Sequence, residues 1–591
     1  MKQFFITVAG VFAAMLLFFI GLPLLLIISA AGSSKPSVPS ASVLVLDLRE
    51  SLTDQDSNDP FAAFSGGGLS VMKVVTTLRA AEKDDKVKAL MIRLPEGGLS
   101  PAAAEEIRDA VLNFRKAGKY VMAHSQGLYQ SGSVVSTYMV GAAASEFWMQ
   151  PQASFQVTGL ATSDLFLKRA FDKYGVSPQF EQRNQYKNAV NPYLHSDYTP
   201  AHREATLGWM GSIFDNAVNA AAKDRKMDAA ALKALLVAGP YSAEDALKKG
   251  LISHLGHVEG LKEAVLKKGG DKAELVDLAD YATARSGPSK GKATIAVIGG
   301  EGAIITGQGS SDPFSGGEMI YSDVTAQAFY DAIEDKDVKA IVFRVSSPGG
   351  SDVASEQILV ALQAAKAAGK PVVVSMGSYA ASGGYWISSD ASAIVAHPST
   401  LTGSIGVYSG KFGFTEALGR FGVDSRDLSV GGEFAEAYTS TDGFSPTQRA
   451  AIASWTDGIY EAFVTRVANG RKLKREQVMT IANGRVWTGA QAKSIGLVDE
   501  LGGFYTAVDK AKALAKIDAK SEVRLKYMRD DSSPFAAFAE AFGGAETLVR
   551  GLHALGVMAQ TPQGAQVVRT AERMQLEASG SAAVLAPVPA L

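Results

Sequence analysis

The chain has 591 residues, enough for two large domains or three or four average ones. Lysine and arginine total 58 against 60 aspartates and glutamates, a formal net charge of −2, so no basic excess is available to neutralise phosphates and the balance argues against nucleic acid as a partner. Cysteine is absent, which removes disulfides, thiolate nucleophiles, iron–sulfur clusters and cysteine-held zinc; seven scattered histidines with no HExxH pattern argue against a histidine metal site.

From Phe4 to Ala31 the chain runs FFITVAGVFAAMLLFFIGLPLLLIISAA, 28 residues without a charge. About 20 apolar residues span a bilayer as a helix, whereas the apolar core of a signal peptide is about 7–15 long. Residues 1–31 are therefore expected to form a single transmembrane anchor, with Ala30-Ala31 leaving late cleavage open. Lys2 and the α-amine before it favour an N-in orientation, which would put the rest of the chain outside the cytoplasm. The Ser/Pro-rich stretch 32–42 reads as a linker.

The remainder is one unit written twice. NDPFAAFSGGG at Asn58–Gly68 returns as SDPFSGGE from Ser311, and DDKVKALMIRLPEGG from Asp84 returns as EDKDVKAIVFRVSSPGG from Glu334. TPAHREATLGWMGSIFDNAV from Thr199 matches SPTQRAAIASWTDGIYEAFV from Ser445, and DALKKGLISHLG from Asp245 matches QAKSIGLVDELG from Gln491. The near-constant offset defines two tandem copies, residues 43–285 and 286–525, followed by an extension over 526–591. Within each copy, β-branched runs such as ATIAVIG, AIVFRV, PVVVSM and AIVAH alternate with stretches of helical period such as EQILVALQAAKAAG. That alternation predicts two α/β domains built on parallel sheets.

In the second copy PVVVSM is expected to end at Met376, and GSYAASGGYWISSDA to turn into a helix that starts at Ser382. A helix N-terminus offers free N–H groups and positive potential, which suits an oxyanion beside a serine nucleophile; helix capping is the plainer role for the same residue. Upstream, AIVFRV leads into SSPGGS, placing Gly349 and Gly350 at the C-terminal end of a strand, where open α/β sheets bind ligands. Gly350 and Gly383 are candidate oxyanion donors, with a tight turn as the competing reading.

The combination SSPGGS, GSYAASGGYWIS and TLTGSIGV resembles the signal peptide peptidase A family, also called protease IV, from about Ser42 to about Val523 and including the duplication of its long bacterial form. The resemblance implies two Clp/crotonase-like α/β domains and a membrane-anchored serine endopeptidase that needs no metal or organic cofactor. It implies Ser382 as nucleophile and, from YKNAVNPY at Tyr186–Tyr193, Lys187 as general base; Asn188 and Asn191 replace the Ser and Glu of the family string. Ser404 in TGSIGV matches the hydroxyl that orients the amine. The resemblance further implies cleaved signal peptides as substrates, a bacterial inner-membrane location with the catalytic part on the periplasmic side, and a homotetramer.

The duplication bears on the same assignment. Position 382 aligns with Val135 and position 187 with Glu433, so each copy keeps half of a dyad; two independently decayed sites would be the alternative. A free lysine, with a pKa near ~10.4, is protonated at neutral pH, so a lysine base must be desolvated. His397 in AIVAHPST is the alternative base of a Ser-His-Asp arrangement. A crotonase-like acyl-CoA enzyme and a non-catalytic membrane scaffold are the rival functions. In the tail, Phe535, Phe538, Phe542, Leu548, Leu552 and Leu555 stand at near-helical spacing, which fits an amphipathic helix on the membrane or a neighbour, or one packed on its own domain.

Overall fold

The β-branched runs become strands and the 3.6-period stretches between them helices, twice over. The computed structural model describes residues 37–56, 69–285, 291–308, 318–528 and 583–585. The uncharged segment 4–31, the NDPFAAFSGGG segment with its SDPFSGG partner, and the Phe535–Leu555 stretch lie outside these residues. Among the described residues, no helix is long and apolar enough to cross a membrane.

The first repeat contains, in order, β1 (Ser42–Asp47), β2 (Val87–Arg93), α1 (Pro101–Lys116), β3 (Tyr120–Ser125), α2 (Val134–Ala142), β4 (Glu146–Met149), β5 (Ser177–Gln182), α3 (Pro200–Arg225), β6 (His254–Leu255) and β7 (Glu274–Asp277). Its sheet is parallel, in the order β6-β4-β3-β2-β1-β7. The runs VLVLD and ALMIR are covered on both faces, which explains why they are almost continuously apolar rather than alternating. Strand β5 takes no part in this sheet.

The second repeat contains β8 (Ala293–Glu301), β9 (Ala303–Ile305), β10 (Met319–Tyr321), β11 (Val338–Ser347), β12 (Gly349–Ser351), α4 (Asp352–Ala367), β13 (Val372–Ala381), α5 (Gly383–Trp386), β14 (Ala393–Ala396), β15 (Leu401–Gly403), β16 (Tyr408–Gly413), α6 (Pro446–Arg471), β17 (Val486–Thr488) and β18 (Val523–Met528). Its main sheet runs β17-β15-β13-β11-β8-β18, with β14 also paired to β13. The two repeats share detail as well as plan. Helices α3 and α6 are each 26 residues long, start with Pro behind a capping Thr199 or Ser445, and end on a left-handed lysine, Lys226 or Lys472.

Strand β13 runs five residues past its expected end at Met376. Val373–Ser375 pair with Ala393–Val395, and Tyr379–Ala381 then pair with Leu401–Gly403, so the strand delivers the chain directly to Ser382. The helix beyond is a single turn.

A third sheet joins the repeats, in the order β10-β9-β12-β19-β16-β5, where β19 is Ala583–Leu585. Its first-repeat strand β5 pairs antiparallel with β16 over six residue pairs, from Ser177↔Gly413 to Gln182↔Tyr408. This ladder carries the chain that follows β5 into the second repeat.

The repeats also meet through a buried ionic cluster. Arg344 of β11, 1% exposed, donates from Nε to Asp54 Oδ2 at 2.8 Å and from Nη2 to Glu106 Oε2 at 2.7 Å. Burial works against its charge, and the two carboxylates more than offset that, holding the guanidinium above its ordinary value. Glu105, also on α1, accepts the backbone N–H and the hydroxyl of Ser399, and Glu106 accepts the N–H of Phe504. Removing one partner from such a cluster typically costs about 3–5 kcal/mol, because the other charges stay buried.

Glu301, at the end of β8, accepts the backbone N–H groups of Asp54 and Gln55, at 2.9 Å each. Burial, with the Asp54 carboxylate beside it, pushes its pKa up to about 8 from an ordinary 4.5. A carboxyl with a raised folded value stabilises the fold while it holds its proton, and that contribution is lost as pH climbs from about 4.5 through about 8. Relative to Glu301→Gln, which cannot ionise, the wild type should therefore lose melting temperature between pH 6 and pH 9, by about 3 °C or more. Parallel melting curves for the two proteins across that range would contradict this account of Glu301.

Candidate active site

Three elements position the serine. Strand β13 ends at Ala381, the one-turn helix α5 starts at Gly383, and Ser382 between them adopts φ +57° and ψ −117°, a conformation that residues with a side chain rarely enter. It is held there by its own N–H, which donates to Gly403 O of β15 at 2.8 Å, and by its carbonyl, which accepts from the N–H of Trp386 at 2.9 Å. Its side chain makes no capping bond to α5, so the plainer reading of Ser382 as a helix cap is not what its hydroxyl does.

That hydroxyl faces a lysine from the other repeat. Lys187 Nζ donates to Ser382 Oγ at 2.7 Å, and reaches Ser404 O and Ser404 Oγ at 3.1 Å each. All three residues are 0% exposed. Lys187 follows β5, and its loop is tied to the second repeat by Arg183 N–H to Val407 O at 2.8 Å and Tyr186 N–H to Asn483 O at 3.1 Å. Ser404 has a positive φ of 50° and donates its N–H to Arg485 O at 2.8 Å, so it too is locked in place. Asn188 and Asn191, the two departures in the lysine string, are buried and bond each other, Asn191 Nδ2 donating to Asn188 Oδ1 at 3.2 Å.

The two candidate oxyanion glycines are neighbours. A Cβ built on Gly383 would stand 3.0 Å from Gly350 N and 2.9 Å from Ser355 Oγ, so the two glycines lie against each other beside Ser382. A Cβ on Gly350 would strike Ile304 O at 2.0 Å. No larger residue fits either position without movement, because the surrounding backbone and side chains pack directly against both glycines.

The equivalents in the other copies carry no such chemistry. Val135 is the second residue of α2 and is buried in the first repeat's apolar core. Glu433 instead accepts a hydrogen bond from the Ser445 hydroxyl that caps α6. His397 is buried with its ring between Glu105 and Glu106, at 3.9 and 3.7 Å, and belongs to the ionic cluster rather than to the serine.

Sequence reasoning missed the residues that shape the lysine's cradle. Gly484 has φ +82°, and a Cβ there would lie 2.5 Å from Lys187 N; a Cβ on Gly406 would lie 3.2 Å from Lys187 Cδ. Only the Asn-Gly turn at 483–484 hinted at a positive φ, and nothing local pointed to a lysine nearly 300 residues earlier.

A sequence model described as peptidase family S49 matches residues 113–270 and 364–518, one segment in each repeat. Protease 4 of Salmonella typhi is 35% identical over 528 residues, covering 87% of this chain and 82% of that protein. Protease 4 of Haemophilus influenzae is 32% identical over 555 residues, covering 87% of both. The chloroplastic serine protease SPPA of Arabidopsis thaliana is 27% identical and covers 87% of this chain and 76% of its own length. A two-repeat α/β chain with these relatives is a serine peptidase. The chain belongs to peptidase family S49.

Gly484→Ala should press on the Lys187 backbone and withdraw its amine from Ser382. Peptide hydrolysis is expected to fall at least ~10-fold, while unfolding shows a loss of about 1–2 kcal/mol, the scale of local strain at one residue. Hydrolysis at the wild-type rate would mean that this turn does not set the lysine.

Proposed function

We propose that the chain is a Ser–Lys endopeptidase with one site per pair of repeats, Ser382 acting as nucleophile and Lys187 as general base. The observation that carries this reading is the 2.7 Å separation of Lys187 Nζ and Ser382 Oγ, both 0% exposed. A serine hydroxyl attacks a carbonyl only as a base removes its proton. Burial disfavours the ammonium, and the Ser382 and Ser404 oxygens that lie 2.7–3.1 Å from Nζ are uncharged, an arrangement suited to an amine that accepts the Ser382 proton. Ser404 then acts as a positioning residue, holding Nζ on line with Oγ.

In the reaction Ser382 Oγ adds to the scissile carbonyl and its proton passes to Lys187 Nζ. The N–H groups of Gly350 and Gly383 stabilise the oxyanion, a contribution that typically amounts to ~10²–10³ in rate per donor. The ammonium returns the proton to the leaving amine as the C–N bond breaks. Water then hydrolyses the Ser382 ester with the same amine as base. No step requires a metal or an organic cofactor.

The substrates we propose are apolar peptides, signal peptides released from preproteins among them. The relatives point that way, one being a putative signal peptide peptidase SppA of Enterococcus faecium that is 30% identical over 234 residues. Segment 4–31 would tether the enzyme to a bacterial inner membrane with its site on the periplasmic side, where such peptides emerge. Assembly as a homotetramer would restrict access to unfolded chains.

Lys187→Ala and Ser382→Ala should each lower kcat/KM for a fluorogenic apolar peptide by at least ~10³, with circular dichroism unchanged. Activity within ~10-fold of wild type in either variant would remove that residue from the mechanism.

A further inference from the structure

Arg485, the residue after the cradle glycine Gly484, stands just before β17 and touches both sides of the proposed dyad. Its carbonyl accepts the N–H of Ser404 at 2.8 Å. Its side chain crosses to the first repeat, where Nη1 donates to Glu204 Oε1 of α3 at 2.6 Å and Glu204 Oε2 in turn accepts the Tyr186 hydroxyl at 2.8 Å. The guanidinium carbon lies over the Tyr186 ring, 5.1 Å from its centre, and over the Trp487 ring of β17 at 4.6 Å. A Cβ on Gly208, one turn along α3 from Glu204, would lie 3.2 Å from Arg485 Nη2, so the guanidinium also rests against that helix. Tyr186, Glu204 and Arg485 therefore close a triangle in which each touches the other two, and Tyr186 is the residue directly before Lys187.

Glu204 is exposed, and an exposed ion pair by itself adds little to stability. The two bonds it accepts hold its carboxyl below the ordinary carboxylate range, the Tyr186 hydroxyl contributing most and Arg485 next, so it stays charged at neutral pH. What the pair holds matters more than its strength. Tyr186 is 9% exposed and is fixed by its ring face, by its hydroxyl and by its N–H, which donates to Asn483 O at 3.1 Å. We infer that Arg485 is a positioning residue for the lysine: by holding the Tyr186 ring by its face and, through Glu204, by its hydroxyl, it sets where Lys187 Nζ stands relative to Ser382 and Ser404, without touching the reacting atoms. The inference rests on the Ser–Lys reading of the site. A planar guanidinium can cover two rings and pair with a carboxylate at once, whereas the ammonium of a lysine, a point charge, reproduces only the pair. A displacement of about 1 Å at a proton acceptor is enough to cost ~10²-fold in rate.

Two measurements on the full chain test this. In the first, Arg485→Met should lower kcat for a short uncharged apolar peptide at least ~10-fold while KM stays within ~2-fold, because the base is misplaced and the peptide's own contacts are not. Glu204→Gln, a change at an exposed residue that keeps the test open should Arg485→Met not fold, is expected to show the same split at ~3-fold or more, since an amide cannot accept from both Arg485 and Tyr186 as a carboxylate does. The second measurement separates positioning from general structural support. A fluorophosphonate labels Ser382 in the wild type, in Arg485→Met or Glu204→Gln, in Lys187→Met and in the corresponding double variant. With the lysine present the Arg485 or Glu204 change should slow labelling by the factor seen in kcat; with the lysine gone the same change should alter it less than ~2-fold, because there is no amine left to place. Wild-type kcat in the folded variants, a loss confined to KM, or an equal slowing of labelling with and without the lysine would overturn the inference. If Lys187→Met alone labels at the wild-type rate, the Ser–Lys reading falls and the inference with it, an outcome distinct from a failure confined to Arg485.

Discussion

Lys187 Nζ and Ser382 Oγ, 195 residues apart in sequence, meet at 2.7 Å inside a site neither repeat could build alone. The contact depends on the antiparallel ladder between Ser177–Gln182 and Tyr408–Gly413, which sets one segment of the first repeat apart from its own sheet and beside strands of the second in the joining sheet. The lysine follows that strand by five residues, too few to wander, and its loop is pinned by backbone bonds to Val407 and Asn483. With the amine carried on one repeat and the hydroxyl on the other, the relative placement of the repeats becomes a catalytic variable. A displacement of one ångström between them would weaken the proton transfer on which the proposed chemistry relies.

The ionic cluster around Arg344 bears on that placement. Its carboxylates come from the first repeat and its guanidinium from a central strand of the second, which itself leads to Gly349 and Gly350. Buried charge clusters add little net stability, because desolvation offsets most of the attraction, but a mispaired arrangement costs several kcal/mol. The cluster thus acts on geometry more than on strength, penalising any docking that separates Asp54 or Glu106 from Arg344. Ser382 shows the same economy at shorter range. Its positive φ is sustained by bonds to β15 and α5, so strain at the proposed nucleophile is carried by the structure around it.

Much of this was legible in the sequence, and the boundary between what was and was not is physical. The repeats and their α/β character follow from internal matches and from the period of apolar residues, both of which are local. Ser382 and Lys187 came from a family resemblance, and the duplication added that Val135 and Glu433 fill the equivalent positions. The length of β13 was misjudged because its last residues are strand only through pairing with Leu401–Gly403, twenty residues downstream. Arg344 reads as one more residue in AIVFRV, since nothing near it reveals the two carboxylates that face it from the other repeat. The cradle glycines 406 and 484 and the strand at 583–585 were missed for the same reason: each owes its role to a partner far along the chain.

The most direct measurement of the central claim is the rate at which a fluorophosphonate modifies the folded protein between pH 6 and pH 10, in the wild type and in Lys187→Met, whose side chain keeps nearly the same volume. If the serine of the second repeat is activated by the lysine of the first, the label is found on Ser382 alone, and its rate climbs with pH along a single titration. In the Met variant the rate drops by at least ~10³ and that titration disappears. Labelling of a different serine, or an undiminished rate at Ser382 in the Met variant, would contradict the account.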